Sequence, residues 1–303
     1  MPKNNYIHLR EQHEFMMMEK VHLDESNKLP YDYHCDCKYC KKYMGMLRRT
    51  DGTFYSKMDR RKYYSDGDAQ HIAKTPLHMA RWCIQTYTEE GDWVLDPTMG
   101  AGTTAIESLS HNRNVVGIEL EFYEVIMQNI DHLIGLQPDN EAHYRIIQGD
   151  ARKIAEHLED FKHKFQLIVN NPPYSGDEQQ VGNIKTGKTK SLRYDTSKNN
   201  LAFLKEQGEY YDTIHDIYSK ACEFLKVGGY LCIGVKDMIR NKAPYLLHKF
   251  LGNVINHIDD MYYQGLVLLP HYPPTLFMST YNKRFPDVKV PKYQTILIFK
   301  KEG

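Results

Sequence analysis

The chain has 303 residues, of which 41% are hydrophobic and 26% are charged, so it can bury a core and does not have the composition of a disordered protein. Its 39 basic and 39 acidic residues cancel, and this zero net charge does not by itself indicate a nucleic-acid-binding protein. No apolar run approaches the roughly 18 residues of a membrane helix, and the polar N-terminus lacks the apolar stretch of a signal peptide, so we expect a cytoplasmic protein without membrane segments.

Residues 1–70 are predicted to form a basic, aromatic extension. Residues 35–62 contain nine Lys or Arg against three Asp, with tyrosines interleaved. This pattern is typical of nucleic-acid contact, but an aromatic arm packed on the main domain fits it equally. Cys35, Cys37 and Cys40 are the candidate zinc ligands, yet structural zinc usually shows two ligand pairs, so we expect free thiols and no metal.

From residue 71 onward, helical patterns alternate with short apolar strands. Helical periodicity is found, for example, in residues 76–87, 122–134 and 211–225. The predicted strands are residues 93–95, 115–118, 145–147, 165–169, 230–235, 265–269 and 295–299. This alternation predicts an α/β fold with a doubly wound, mostly parallel sheet, in which ligands bind at the carboxyl ends of the strands.

Two segments interrupt the alternation. Residues 175–200 are polar and rich in Gly, Lys and Thr, and residues 270–293 contain five prolines. Loops of this length beside a catalytic strand end are usually functional or disordered. We therefore predict a catalytic domain over residues 71–303 with recognition insertions at about 175–213 and 240–293. The candidate nucleic-acid contacts are Lys185, Lys188, Lys190 and Arg193.

The first chemical motif, VLDPTMGAGTT at residues 94–104, reads as a strand, a glycine turn and a helix start. Gly100 and Gly102 let the backbone approach a ligand closely. Glu119 ends the next strand, where its carboxylate can accept hydrogen bonds from the ribose hydroxyls of an adenosine.

This motif alone leaves two cofactors open. The spacing Gly100-x-Gly102-x-x-Ala105 also satisfies the loose dinucleotide fingerprint of NAD enzymes. Asp96 and Asp150, each after a predicted strand, favour S-adenosylmethionine, since they can meet a cationic methionine end and an adenine amine. Each of the two also fits a plain helix cap.

The second motif is Asn171-Pro172-Pro173-Tyr174, after the buried strand 165–169. Two prolines end the strand ladder, which leaves the Asn171 side-chain oxygen and the Pro172 carbonyl available as acceptors. Two acceptors can hold the two hydrogens of an exocyclic base amine, and Tyr174 can stack on a base flipped out of a duplex.

Together, DPTMGAGTT and NNPPY resemble the amino-methyltransferases of DNA, the adenine-N6 and cytosine-N4 enzymes that use S-adenosylmethionine. The resemblance covers roughly residues 71–238 and 293–301. It implies a seven-stranded Rossmann-like class I methyltransferase sheet, a target amine held by Asn171, Pro172, Pro173 and Tyr174, and a cofactor site along the glycine turn. The cofactor contacts it implies are Lys74, Thr75, Pro76, Asp96, Pro97, Thr98, Met99, Gly100, Gly102, Thr103, Thr104, Glu119, Leu120, Asp150 and Ala151.

The chain departs from this family in motif order and in lacking a large target-recognition domain, so target recognition is expected from residues 1–70, 175–213 and 240–293. An asparagine before Pro-Pro-Tyr resembles the adenine enzymes more than the cytosine enzymes. Cytosine-N4 methylation, RNA base methylation and an inactive cofactor-binding module are the alternatives. DNA is the expected partner, and the target sequence, the oligomeric state and any cognate restriction endonuclease stay open.

Overall fold

The computed structural model describes residues 63–65, 75–174, 201, 204, 207–240, 243–270 and 293–303. Its strands are β1 (Trp93–Asp96), β2 (Asn114–Glu119), β3 (Tyr144–Gln148), β4 (Phe165–Asn170), β5 (Leu225–Lys236), β6 (Met238–Arg240), β7 (Ala243–Tyr245), β8 (Met261–Pro270) and β9 (Tyr293–Lys301). Its α-helices are α1 (Leu77–Tyr87), α2 (Thr103–Leu109), α3 (Tyr123–Leu136), α4 (Ile154–His157), α5 (Gln207–Glu223) and α6 (Leu247–Ile255). Short 3-10 turns cover Ala151–Lys153 and Glu159–Phe161.

A seven-stranded sheet in the order β3-β2-β1-β4-β5-β9-β8 is the centre of the fold. The first five strands of this order pair in parallel, and β9 runs antiparallel between β5 and β8. All seven predicted strands take part, which confirms the predicted doubly wound, mostly parallel, Rossmann-like α/β sheet. The sequence reading missed the separate β6–β7 hairpin.

Helices cover both faces of the sheet because successive strand residues point to opposite sides. Leu95 and Ile168 face one apolar core with α5 and α6, whereas Val94 and Leu167 face the other with α1, α2 and α3. All four side chains are fully buried. Each such burial stabilises the fold by about 1.5–3 kcal/mol, which fixes the strand register and hence the positions of the strand ends.

The strand order reverses between β1 and β4, since β2 and β3 lie on one side of β1 while β5 lies beyond β4. Crossover connections therefore leave in opposite directions at this point, and a crevice forms at the carboxyl ends of the two strands. Both chemical motifs predicted from the sequence follow these two strands directly.

The predicted insertions are partly built into the domain. Within residues 240–293, α6 covers the sheet and β8 pairs with β9, while residues 271–292 lie outside the described residues. Residues 175–200 also lie outside them.

Of the N-terminal extension, only residues 63–65 are described. There Tyr64 is buried, and Ser65 donates hydrogen bonds from its backbone N and its Oγ to Asn129 Oδ1 on α3, at 3.0 and 2.8 Å. Among the described helices, none has the length and apolar character to cross a membrane.

Candidate active site

A cleft opens at the carboxyl ends of β1, β2, β3 and β4, and we call it the strand-end cleft. It holds about 880 Å³ of space, a volume that includes open solvent. Its wall is built from the glycine turn after β1, the ends of β2 and β3, the NPPY segment after β4, and the outlying Thr75 and Leu201. The lining residues are Thr75, Pro97, Thr98, Met99, Gly100, Ala101, Ile118, Glu119, Leu120, Phe122, Gly149, Asp150, Ala151, Asn171, Pro172, Pro173, Tyr174 and Leu201.

Two glycines fold the turn after β1 tightly. The backbone φ is +59° at Gly100 and +82° at Gly102, a left-handed conformation that favours glycine. A Cβ at position 102 would also lie 3.1 Å from Ile126 Cγ2. The turn therefore depends on glycine for its backbone shape and for close packing on α3.

Glu119, at the end of β2, holds this turn in place. Its Oε2 accepts a hydrogen bond from the backbone N of Gly100 at 2.7 Å, and its Oε1 accepts from the backbone N of Glu121 and of Phe122, at 3.0 and 3.2 Å. Burial raises the pKa of this carboxyl. Glu119 thus couples two neighbouring strand ends and presents a carboxylate to the cleft.

Asp96, the last residue of β1, lies behind the cleft wall and is almost completely buried. Its Oδ1 accepts hydrogen bonds from the backbone N of Thr98 and from Asn170 Nδ2, at 3.2 and 2.8 Å, and its Oδ2 accepts from Thr104 Oγ1 at 2.5 Å. Burial raises the pKa of Asp96 to about 6, although the three hydrogen bonds oppose the shift. The side chain of Asp96 therefore changes between its protonated and its ionised form near pH 6.

Asn170, at the end of β4, connects the two motifs and was not identified from the sequence. Its Nδ2 donates to Asp96 Oδ1 and to Thr98 Oγ1, both at 2.8 Å, and its Oδ1 accepts from Tyr218 Oη on α5 at 2.5 Å. Burial raises the pKa of Tyr218 well above its usual value, so the hydroxyl stays protonated and donates. This chain of hydrogen bonds fixes the relative positions of the ends of β1 and β4.

Asp150, after β3, both lines the cleft and caps the turn that follows it. Its Oδ1 accepts from the backbone N of Arg152 at 3.0 Å, and its Oδ2 accepts from the Arg152 guanidinium at 2.5 Å. Burial alone would raise the pKa of Asp150, but the hydrogen bonds and charge of Arg152 outweigh it and lower the pKa. Asp150 is therefore ionised at neutral pH.

The asparagine of the NPPY segment receives a hydrogen bond from a residue on β9, two strands away from β4 in the sheet. Asn171 Oδ1 accepts from Gln294 Nε2 on β9 at 3.3 Å. Among the described residues, none donates a hydrogen bond to the carbonyl oxygen of Pro172, and Pro172 itself lines the cleft. The two residues that carry the predicted acceptors therefore both line the cleft.

Tyr174 and Pro173 are held by residues from distant elements. The Oη of Tyr174 accepts a hydrogen bond from the backbone N of Lys236, at the end of β5, at 2.8 Å. The carbonyl of Pro173 accepts from Tyr210 Oη on α5 at 3.0 Å. Burial also lowers the pKa of the Lys236 side chain. The Tyr174 ring is thus tied at its hydroxyl end while it lines the cleft.

Most of the predicted catalytic and cofactor-binding residues line this cleft. Those on its wall are Thr75, Pro97, Thr98, Met99, Gly100, Glu119, Leu120, Asp150, Ala151, Asn171, Pro172, Pro173 and Tyr174. Those that are described but do not line the cleft are Pro76, Asp96, Gly102, Thr103 and Thr104. Those outside the described residues are Lys74, the basic residues Lys185, Lys188, Lys190 and Arg193, and the cysteines Cys35, Cys37 and Cys40.

Sequence reasoning missed Asn170, Tyr218 and Gln294. Asn170 carries a weak signal, since it is a polar residue at the end of an apolar strand and adjoins Asn171. Gln294 carries a similarly weak signal, since it is a polar residue near the start of the apolar strand β9. Tyr218 lies in the middle of α5 and has no local signal at all.

Parts of the chain are similar to known DNA methyltransferases. Residues 1–128 match the N6_N4_Mtase family model, described as DNA methylase. Type II methyltransferase M.BglI from Bacillus subtilis is 51% identical over 51 residues, which are 17% of this chain and 15% of that protein. Type II methyltransferase M.MthZI from Methanothermobacter thermautotrophicus is 32% identical over 135 residues, 39% of this chain and 35% of that protein. The chain thus spans about a third or less of the length of these relatives.

The fold is also similar to solved structures. TrmN from Thermus thermophilus has 16% sequence identity and a TM-score of 0.45, over 78% of this chain and 51% of that one. The family model and the curated matches together show that parts of this chain are similar to DNA methyltransferases.

Proposed function

We propose that this chain is a DNA methyltransferase that transfers a methyl group from S-adenosylmethionine to the exocyclic amine of a base. The observation that carries the proposal is the strand-end cleft itself. Its lining includes Glu119 and Asp150, which carry carboxyl groups, together with Asn171 and Pro172. The matches to the DNA methylase family model and to Type II methyltransferases support DNA as the substrate.

The cofactor half of the cleft fits an adenosine that carries a cationic amino acid. Glu119 is the acceptor for ribose hydroxyls, Asp150 is the acceptor for the adenine amine, and the glycine turn with Thr98 borders the methionine end. Asp96 adds a negative charge directly behind that turn. S-adenosylmethionine, when bound, supplies a sulfonium methyl group that is already a good electrophile.

The acceptor half has the task of positioning a weak nucleophile. Asn171 Oδ1 and the Pro172 carbonyl accept the two hydrogens of the base amine, which turns its lone pair away from conjugation and towards the cofactor half. Fixed acceptors of this kind stabilise the positive charge that develops on the nitrogen during transfer. No strong base is required, because the methylated amine is a strong acid and gives its extra proton to water.

Tyr174 supplies the face on which the target base stacks. The hydrogen bond from the Lys236 backbone N limits movement of its ring. A base inside a duplex cannot reach the cleft, so the target nucleotide is extruded from the helix before transfer.

Adenine N6 is the preferred target, because an asparagine before Pro-Pro-Tyr resembles the adenine enzymes of the family. Cytosine N4 is the alternative, since both amines offer two hydrogens to the same acceptors. The Type II names of the relatives support a place in a restriction-modification system. Lys185, Lys188, Lys190 and Arg193, outside the described residues, stay predicted nucleic-acid contacts.

Mass spectrometry of nucleosides tests the proposal after DNA and RNA have each been incubated with the protein and S-adenosylmethionine. N6-methyladenine in DNA is the expected product. N4-methylcytosine in DNA would support the proposed reaction but would show that the target base is cytosine and not adenine. Methylation confined to RNA would overturn the proposed substrate. No methylation of either nucleic acid would overturn the proposed activity.

A further inference from the structure

A hydrogen bond crosses the sheet to reach the acceptor asparagine. Gln294 lies on β9 and is only 4% exposed, and its Nε2 lies 3.3 Å from Asn171 Oδ1. Strand β5 lies between β9 and β4, so the Gln294 side chain spans an entire strand to make this contact.

A glycine in the intervening strand opens the path for this side chain. A Cβ at Gly234 on β5 would lie 3.0 Å from Gln294 Nε2 and would overlap the end of the Met79 side chain. Gly234 has no need of glycine for a turn, since it lies within a regular antiparallel pair opposite Ile296. The missing side chain therefore serves the packing of Gln294 and Met79 over β5.

Met79 on α1 completes the environment of Gln294. Its Sδ lies 3.5 Å from Gln294 Nε2, and the residue is fully buried. A thioether sulfur accepts hydrogen bonds weakly and cannot donate them. One hydrogen of the Gln294 amide thus faces the sulfur, and the other faces Asn171 Oδ1, so the NH₂ end of Gln294 is the end directed at Asn171.

This orientation matters because an asparagine amide has two ends of opposite character. Only the oxygen end can accept a hydrogen from a base amine, and a half-turn of the amide would place an NH₂ group there instead. A donor from Gln294 pairs with the oxygen end and disfavours the half-turned amide. The carbonyl oxygen has two lone pairs, so one stays available for the target amine.

We propose that Gln294 is a positioning residue that holds the Asn171 oxygen in the acceptor orientation, and that Gly234 and Met79 hold Gln294. The proposal rests on the proposed function only for its effect on methyl transfer. The contact itself can be tested without any activity.

A double-substitution experiment tests the proposal through Asn171→Asp. A carboxylate has an acceptor atom at both ends, so it needs no partner to select its orientation. Gln294→Met should slow single-turnover methyl transfer about tenfold in the wild-type background, with the affinity for S-adenosylhomocysteine unchanged. In the Asn171→Asp background the same substitution should cost less than about twofold. An equal cost in both backgrounds would mean that Gln294 acts through packing and would overturn the proposal.

Gln294→Glu is a second test variant, and Gln264→Glu is its matched control. The side chain of Gln264, on the neighbouring strand β8, donates a hydrogen bond to the Tyr262 carbonyl of its own strand and makes no other among the described residues, so its substitution should leave the transfer rate unchanged. Gln294→Glu keeps the shape but replaces the donor with an acceptor, so it should slow transfer at least as much as Gln294→Met. A Gln294→Glu protein with the wild-type rate would overturn the proposal.

The contact is read independently of catalysis by NMR of ¹⁵N-labelled protein. The side-chain NH₂ resonances that vanish in Gln294→Met belong to Gln294, and Asn171→Ala should shift them and speed their exchange with solvent. Unchanged resonances would overturn the proposal. If these resonances respond but the wild-type protein transfers no methyl group, the positioning contact stands and the proposed function fails.

Discussion

The two halves of the strand-end cleft are held in different ways. In the cofactor half, Glu119 bonds to backbone groups two and three residues ahead and to Gly100, and Asp150 bonds to Arg152. In the acceptor half, the partners are 123 residues away for Asn171 and 62 residues away for Tyr174. Local turn chemistry thus shapes the first half, while the assembled sheet and helix α5 shape the second.

Because the two halves are held by different contacts, substitutions in one half should have different consequences from substitutions in the other. A change in the acceptor half should alter methyl transfer and leave cofactor binding intact, whereas a change in the cofactor half should alter binding. Hydrogen bonds from Asn170 to Asp96 and from Tyr218 to Asn170 connect the two halves. Substitutions of these three residues should therefore affect both cofactor binding and methyl transfer.

The largest expected effect is on transfer in Asn171→Ala. Removing one of two fixed acceptors should lower the methyl-transfer rate about 100-fold or more, because the amine loses its orientation and its charge stabilisation. Affinity for S-adenosylhomocysteine, measured by calorimetry, should change less than about twofold. Asn256→Ala, at the exposed end of α6, is the matched control and should leave both quantities unchanged. A large loss of cofactor affinity in Asn171→Ala would contradict the separation of the halves.

Asp96→Asn should show the opposite profile. Loss of the charge behind the glycine turn should weaken S-adenosylhomocysteine binding about tenfold or more. The ligand-free protein should become more stable above pH 6, because a pKa raised from 3.8 to about 6 means that ionising Asp96 costs about 3 kcal/mol in the folded state.

Thermal unfolding and calorimetry measure the two effects of Asp96→Asn. The control is Asp92→Asn, at the other end of the β1 segment, where the side chain bonds to the Glu89 backbone and to Lys226. A tighter-binding or less stable Asp96→Asn protein would contradict the assigned role.

Cofactor binding should depend on pH through the same carboxyl. Below about pH 6, Asp96 is protonated in the ligand-free protein, so affinity should fall by up to about tenfold per pH unit and binding should release a proton. Above pH 7 the affinity should be level. The raised pKa also means that Asp96 lowers the folding stability of the ligand-free protein as the pH rises from about 4 to about 6.

Calorimetric titrations between pH 5 and 8, in buffers of different ionisation enthalpy, measure this dependence. Asp96→Asn should remove it. A pH dependence that persists in Asp96→Asn would assign the titration to another carboxyl, with Glu119 as the nearest candidate because burial also raises its pKa.

The smallest expected effect belongs to Arg152→Gln. Arg152 lowers the pKa of Asp150, but both side chains are partly exposed, so solvent screens the interaction between them. Cofactor affinity should therefore change by about threefold or less at pH 7.5. A loss as large as that of Asp96→Asn would show that the Arg152–Asp150 pair organises the adenine end of the cleft.

The same difference between the halves explains what the sequence predicted. The glycine turn, the acidic strand ends and NPPY are short local patterns, and each of the seven predicted strands is present in the sheet. Asn170, Tyr218 and Gln294 were missed because their roles depend on strand register and on the docking of α5. Gly234 shows the limit most clearly, because nothing near it in the sequence indicates that a side chain from β9 crosses there.

Calorimetric titration of the wild-type protein with S-adenosylhomocysteine, and separately with NADH, tests the central claim most directly. Both ligands contain an adenosine, and the spacing of the glycine turn alone admits either. The acidic strand ends and the acceptor pair predict binding of S-adenosylhomocysteine and none of NADH. Binding of NADH without S-adenosylhomocysteine would contradict the account, because the cleft would then be a dinucleotide site.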